Sequence, residues 1–306
     1  MFEKILVPLD GSGLAQAVLP LVKRLAGKLG SSITLLHVVE EAMESQNDEA
    51  RRKAAEAMAN ARTVALRYLE ETASLVRSDA IDVESVALNG SPYRLIAEYP
   101  EAHEISLIAM ATHGRAGLSR AMVGSIATRV IQGTSLPVLL VRPHEVGKGI
   151  WSSLTDNPTR ILVPLDGSKL AEQALPYARD LAIRLNVPIM LAQSLPLDVM
   201  IAVGPYPIQI WNESWSNQIE AETDTYLAGL GNDLVQKGVS ANWQVLWGRA
   251  AQRIVETARD DAGTLIVMTT HGRSGWQRWM MGSVADEVMR ETGAPTLIIK
   301  SPGQGE

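Results

Sequence analysis

Lys4-Ile-Leu-Val-Pro-Leu-Asp-Gly-Ser12 returns 156 positions later as Arg160-Ile-Leu-Val-Pro-Leu-Asp-Gly-Ser168. Within it, Lys4–Leu9 is a continuous apolar run, the pattern of a strand buried on both faces of a parallel sheet. Asp-Gly-Ser then stops the run with turn-forming residues. A second stretch is duplicated as well. Thr112-His-Gly-Arg-Ala-Gly-Leu-Ser-Arg-Ala-Met-Val-Gly-Ser125 returns as Thr270-His-Gly-Arg-Ser-Gly-Trp-Gln-Arg-Trp-Met-Met-Gly-Ser283, displaced by 158, and 112–143 matches 270–301 at fourteen of thirty-two positions. A repeat this long is a duplicated domain rather than a small solenoid unit.

Working outward, each half alternates short β-branched runs with helical stretches, the signature of a parallel sheet covered by helices. The first half reads as strands at Lys4–Leu9, Ile33–Val39, Val83–Leu88, Ile105–Met110 and Val138–Val141. Between them lie helical stretches at Ala15–Leu29, with Gly30 as C-cap, at Ala50–Leu75, from Ser91-Pro92 onward, and at Ser125–Gln132. Strands at Ile161–Leu165, Ile189–Leu191, Trp243–Leu246, Thr264–Met268 and Thr296–Ile299 repeat the order. The expected fold is therefore α/β: two tandem doubly wound domains, each a five-stranded parallel sheet flanked by helices. Domain 1 is expected over 1–143 and domain 2 over 159–302, joined by a Gly-, Ser- and Pro-bearing linker at 144–158. The last strands, Pro137–Val141 and Pro295–Lys300, are expected to be sheet edges that pair the two domains intramolecularly.

Composition narrows the function classes. The 306 residues are 46% hydrophobic and 20% charged, which excludes intrinsic disorder. A net charge of −6 argues against non-specific attraction to nucleic acid or an anionic membrane. Cysteine is absent, removing disulfides, thiol catalysis and thiolate zinc sites. No apolar run reaches the ~18 residues a membrane span needs, nor does MFEKILVPLDGS read as a signal peptide, so a cytoplasmic location is expected. The five histidines (37, 103, 113, 144, 271) lack ligand spacing, and no metal site is expected. His113 and His271 read as residues that orient the glycine loop by a backbone hydrogen bond, with proton transfer as the alternative. No serine has a nucleophile-elbow context, so no catalytic residue is assigned.

Doubly wound sheets bind ligands beyond the carboxyl ends of their strands, where strand order reverses. Both duplicated motifs fall at that edge. The loop through Gly114, Gly117 and Gly124 offers small residues that let an anion approach and take positive φ. A helix opening at Ser125 adds free N–H groups and a positive dipole end. Ser125, Arg115 and Arg120 add donors. The plain alternative is a tight strand-to-helix connection without ligand. It is neither a Walker loop nor the dinucleotide fingerprint. Asp10 and Asp166 read either as N-caps of the following helix or as acceptors for a ribose or base.

With these residues in view, Val-Pro-Leu-Asp-Gly-Ser after the opening strand, Leu-Leu-His37-Val38 on strand two, and Met-Ala-Thr-His-Gly-Arg before Gly-Ser resemble the universal stress protein family. The resemblance covers both halves, as in a tandem member. ATP-binding members carry Gly-x2-Gly-x9-Gly-Ser/Thr after strand four. Here Ala111-x2-Gly114-x9-Gly124-Ser125 and Thr269-x2-Gly272-x9-Gly282-Ser283 keep the spacing but replace the first glycine. The resemblance implies that Pro8, Asp10 and Val38 border base and ribose. Met110, Ala111 and Gly114 would line the ribose and first phosphates, and Gly124, Ser125 and Ile126 would hold the phosphate tail. In the second half Pro164, Asp166, Met268, Gly272, Gly282, Ser283 and Val284 are equivalent, with Ser194 replacing the strand-two valine. The implied ligand is ATP or another adenine nucleotide, with magnesium riding on the phosphates, and the implied role is stress regulation without vigorous catalysis. Self-association of the whole chain is left open. The alternatives are a nucleotide-free interaction module and, more remotely, an adenylating enzyme. The first site is expected to be the tighter.

All seven tryptophans follow residue 150. Trp211 and Trp215 could share a helix face as core. Val203-Gly-Pro-Tyr-Pro-Ile208 reads as a loop over the second crevice, and Trp276 and Trp279 fall inside the second glycine loop.

Overall fold

A computed structural model describes residues 1–40, 48–112, 124–143, 158–196, 200–203, 206–209, 213–270 and 282–300. The chain forms two compact units, Met1–Asn157 and Pro158–Glu306.

In the first unit, strands β1 (Lys4–Pro8), β2 (Ser32–Val39), β3 (Val83–Asn89), β4 (Leu107–Ala111) and β5 (Val138–Val141) pair in the order β3-β2-β1-β4-β5, all parallel. Ile5, Leu6 and Val7 are wholly buried, as are Leu35 and Ile108. Burial on both faces is why these strands read as unbroken apolar runs. Four helical segments connect them. The stretch expected as one helix over 15–29 divides into a 3-10 turn (Ala15–Val18) and α1 (Leu19–Leu29). Pro20 is the cause, since a residue without an N–H fits only the first turn of an α-helix. Gly30 ends α1 at φ 70°, the left-handed cap expected there. Helices α2 (Asp48–Val76), α3 (Pro92–His103) and α4 (Ser125–Gly133) complete the unit. Ser91 stands at the N-cap of α3 as expected, but its side chain makes no capping bond.

The second unit repeats this plan. Strands β6 (Arg160–Leu165), β7 (Ile189–Leu195), β10 (Ala241–Trp247), β11 (Thr264–Thr269) and β12 (Thr296–Ile299) are parallel in the order β10-β7-β6-β11-β12. They are covered by α5 (Lys169–Glu172), α6 (Leu175–Leu185), α7 (Glu213–Gln236), α8 (Ala250–Arg259) and α9 (Ser283–Glu291). Equivalent pairs coincide: Ile5 sits opposite Ile33 as Ile161 sits opposite Ile189.

Two readings are corrected here. The Pro-rich stretch after β7 is not plain loop but an antiparallel pair, β8 (Met200–Val203) with β9 (Tyr206–Gln209). Two-stranded ribbons tolerate proline because both strands are edges. Trp215 lies on α7 but is 39% exposed, so it is no core residue; Trp211 falls outside the described residues. Among the described residues no helix is long and apolar enough to cross a membrane.

Candidate functional site

Strand order reverses between β1 and β4, which pair at Ile5–Leu107 and Leu6–Ile108. A doubly wound sheet binds ligands at this place, beyond the carboxyl ends of the two strands. What the chain does as it leaves each strand therefore defines the site.

It leaves β1 through buried Pro8, and Leu9 N–H still donates to the Leu36 carbonyl at 2.8 Å. Asp10 follows, partly exposed. Its Oδ1 accepts the Ser12 backbone N–H at 2.9 Å and the Ser12 hydroxyl at 2.6 Å. Ser12 Oγ in turn accepts the Ala15 N–H at 3.1 Å. Pro164, Asp166 and Ser168 repeat the arrangement, with bonds of 3.0 and 2.6 Å to Asp166 and 3.2 Å from Ala171 N–H to Ser168 Oγ. Asp-Gly-Ser is thus an Asx turn. The turn needs a left-handed residue at its second position, supplied by Gly11 at φ 85° and Gly167 at φ 81°. The N-cap reading of the aspartates is corrected: in the second unit Ser168 caps α5 and Asp166 aligns the serine, while in the first Asp10 aligns Ser12 in the same way and the 3-10 turn opens at Leu14 with no side-chain cap. In both units this pins a carboxylate at the switch point.

It leaves β4 through Met110 and Ala111, and β11 through Met268 and Thr269, all buried. Thr112 N–H donates to the Val141 carbonyl at 2.9 Å, while its own carbonyl accepts the Gly124 N–H at 2.7 Å. Thr270 does the same, with Ile299 at 3.0 Å and Gly282 at 2.8 Å. Gly124 is thereby tied to Thr112 and Gly282 to Thr270, beside the sheet. Gly114, Gly272, His113, His271, Gly117, Arg115, Arg120, Trp276 and Trp279 lie inside those segments and outside the described residues.

Gly124 has φ −56° and ψ 147°, and Gly282 has φ −61° and ψ 144°. The positive φ expected at Gly124 is not present. Its contribution is instead a side-chain-free N-cap. Helices α4 and α9 open with no side-chain capping bond, leaving the dipole end and first-turn N–H groups to an anion. Ser125 and Ile126 are exposed there, as is Ser283, while Val284 is half-buried. One difference separates the units: α4 carries no acidic residue in its first turn, whereas α9 carries Asp286.

The third side of the crevice comes from the ends of β2 and β3. Val38 is half-exposed opposite Leu88. Its counterpart Ser194 donates its hydroxyl to the Gly248 carbonyl at 2.9 Å. Gly90 and Gly248 end β3 and β10 at φ 144° and 129° and bond back to Val39 and Leu195 at 3.0 and 2.8 Å. This glycine pair was not singled out from the sequence, although Gly90 and Gly248 are also displaced by 158. Arg142 and Lys300, one residue past β5 and β12, were missed too. They place a cation at the same edge in each unit, and burial lowers the Lys300 pKa from its ordinary value.

The strands' parallel register thus gathers Pro8, Asp10, Val38, Met110, Ala111, Gly124, Ser125 and Ile126 at one sheet edge. Pro164, Asp166, Met268, Gly282, Ser283 and Val284 gather likewise. Among the described residues no three His, Asp or Glu side chains converge in a metal-holding group.

The profile of the Universal stress protein family matches this chain twice, over residues 1–142 and 158–300. A universal stress protein of Mycolicibacterium smegmatis is 26% identical over 310 residues, spanning 97% of this chain and 96% of that protein. One from Methanocaldococcus jannaschii is 30% identical over 143 residues, 47% of this chain and 82% of its own. The crystal structure of a universal stress protein from Archaeoglobus fulgidus superimposes with a TM-score of 0.71 over 99% of this chain and 100% of that one, at 18% identity, which speaks to the fold.

Proposed function

Since the chain belongs to the universal stress protein family in two fused copies, we propose that it is an adenine-nucleotide-binding regulatory protein of the cytoplasm, with ATP as the preferred ligand. One observation carries the reading. The same pair of devices, an aspartate-anchored turn after the first strand and a glycine-led uncapped helix after the fourth, recurs in both units with matching bonds. Geometry repeated this closely after the intervening side chains have diverged speaks for a retained ligand rather than a retained loop.

The chemistry divides by region. Pro8 and Val38 supply apolar walls for a base, and Asp10 an acceptor beside a ribose. Ala111, Gly114 and Gly124 let the phosphates approach the backbone, and Ser125 and Ile126 offer N–H groups at the α4 dipole end. Magnesium would ride on the phosphates, since it binds substrate phosphate oxygens with few protein ligands. On this reading the bound nucleotide is a signal rather than a substrate for rapid turnover.

Mass spectrometry of small molecules released on denaturing freshly purified protein tests the proposal. An adenine nucleotide at one or two per chain is the expected result. Protein that carries none, and takes up none on dialysis against ATP, is a nucleotide-free interaction module instead.

A further inference from the structure

Within the second unit β10 is the outermost strand and pairs only with β7. Helix α7 packs on it with five carboxylates and no lysine or arginine, whereas its counterpart α2 balances five of each sign. Trp243 Nε1–H donates to Asp224 Oδ1 at 3.0 Å, and Trp247 Nε1–H to Glu220 Oε2 at 3.4 Å. Trp243 rests directly on Gly231: a Cβ there would meet ring atoms Cε3 and Cζ3 at 2.6 and 2.9 Å. The residues 158 positions earlier are Ala73 and Ser85, and those matching Glu220 and Trp247 are Arg62 and Asn89. The tryptophan and the glycine thus occur together in the second unit, and an alanine at 231 would crowd the indole. An ordinary helix surface has no need of that glycine, which costs about 1 kcal/mol against alanine.

The seated indole floors an open groove of about 440 Å³, lined also by Asn217, Glu220, Asp224 and Gln244. Glu220 and Asp224 are one helical turn apart, a repulsive like-charged pair. Neither takes part in any of the described ion pairs. We propose that this groove binds a small organic cation of the guanidinium class. A guanidinium is flat enough to stack on an indole, carries donors in a fork that fits carboxylates and amide oxygens, and relieves the Glu220–Asp224 repulsion. An anion would meet both carboxylates. The groove opens between α7 and the edge strand, away from the switch point, so this inference stands apart from the nucleotide reading.

The test follows indole N–H resonances of the full chain by 15N NMR while argininamide is added, with citrullinamide as the uncharged isostere. Trp243→Phe and Trp247→Phe assign the two relevant peaks among seven. Argininamide should shift both saturably, citrullinamide neither, and the other five should stay in place. Ala221→Lys puts a tethered cation beside the groove on an exposed helix face and should abolish the response without disturbing the fold. Glu220→Gln with Asp224→Asn should weaken binding at least tenfold. No saturable shift, an equal response to citrullinamide, or undiminished binding in Ala221→Lys would overturn the proposal. So would a short arginine peptide binding a hundredfold more tightly than argininamide, which would assign the groove to a protein partner.

Discussion

Gly124 donates its N–H to the carbonyl of Thr112 at 2.7 Å, tying the N-cap of α4 to the residue that follows β4. Its φ of −56° and ψ of 147° suit any L-residue. The backbone torsions therefore have no need of glycine here, whereas under the proposed function a phosphate approaching the α4 N-terminus does. Gly124→Val should cost about 1 kcal/mol, because valine is a poor N-cap although the torsions admit it. Equilibrium dialysis with labelled ATP should nonetheless lose one site. Unchanged stoichiometry would make the first loop a connection only.

The Asx turn gives a second test. Ser168 caps α5 and is itself held by Asp166. Ser168→Ala should cost about 1 kcal/mol, as loss of an N-cap does. Asp166→Ala should cost a similar amount by leaving the Ser168 N–H and hydroxyl without their acceptor. The double variant should cost clearly less than the two combined, because both changes break one chain of bonds. Urea titrations of the three variants measure the coupling; full additivity would show that Asp166 does not act through Ser168.

Much of this was open to reading in the sequence, for a physical reason. Strands buried on both faces leave unbroken apolar runs, so Ile5–Val7 and Ile161–Val163 could be located directly, and duplication checked each one. Helix starts were harder. Ser91 and Pro92 stand where expected, yet the serine side chain does not cap, because N-cap preference is statistical and bonding is geometric. Pro20 did mark where α1 begins, but the apolar period of Ala15–Leu29 ran straight across it. Around the candidate site, the duplicated spacing singled out Asp10, Asp166, Gly124 and Gly282. Their tasks were not legible, since whether Asp166 or Ser168 caps, or whether Gly124 has positive φ, depends on torsions that residue types leave open. Gly90 was overlooked because a lone glycine after a strand looks like any turn. Gly231 could not be understood until Trp243 was seen lying on it.

Gly90 is the position where glycine is required twice over. It holds φ 144°, and a Cβ would meet Leu95 Cδ1 at 2.9 Å. Gly90→Ala should destabilise the protein by roughly 1–3 kcal/mol through backbone strain alone. The partial clash with Leu95 adds to this. Leu95→Ala in the same background should recover little, since it relieves the clash but not the torsion. A thermal melt showing Gly90→Ala near wild type would mean that the turn after β3 adapts freely.

Tyr99 supplies a pH signature. The ring is buried, stacked on His103 at 3.7 Å, and burial, with a smaller contribution from Glu84, raises its pKa above the ordinary 10.0. A raised pKa means that the folded state holds the proton longer than the unfolded chain. The associated stability is thus complete below pH 10.0 and falls as pH rises through the folded value. Tyr99→Phe cannot titrate. The difference in Tm between wild type and Tyr99→Phe should stay constant to about pH 9.5 and move in favour of the variant above pH 10. A difference independent of pH to 11 would show that the hydroxyl ionises freely.

The two proposed nucleotide sites should differ in strength, and the first should be tighter. Ala111 in β4 offers a small side chain where Thr269 in β11 places a β-branched one, and both are buried. Val38 presents an apolar wall, whereas Ser194 turns its hydroxyl to the Gly248 carbonyl. The first turn of α9 carries Asp286, whose charge occupies the dipole end and repels phosphate, while α4 has no acid there. Salt-bridging to Arg290 at 3.0 Å moderates that repulsion without removing it. Each difference is worth a fraction of a kcal/mol to about 2 kcal/mol, and 1.4 kcal/mol is tenfold in affinity. A separation of roughly ten- to a hundredfold follows. Because all seven tryptophans lie beyond residue 150, filling the first site should leave intrinsic fluorescence almost unchanged. Calorimetry with ATP should show a tight phase without a tryptophan signal, then a weaker phase accompanied by one. Asp286→Asn should strengthen the weaker phase and leave the tight phase alone. A tryptophan signal that saturates with the tightest phase would reverse the order of the two sites.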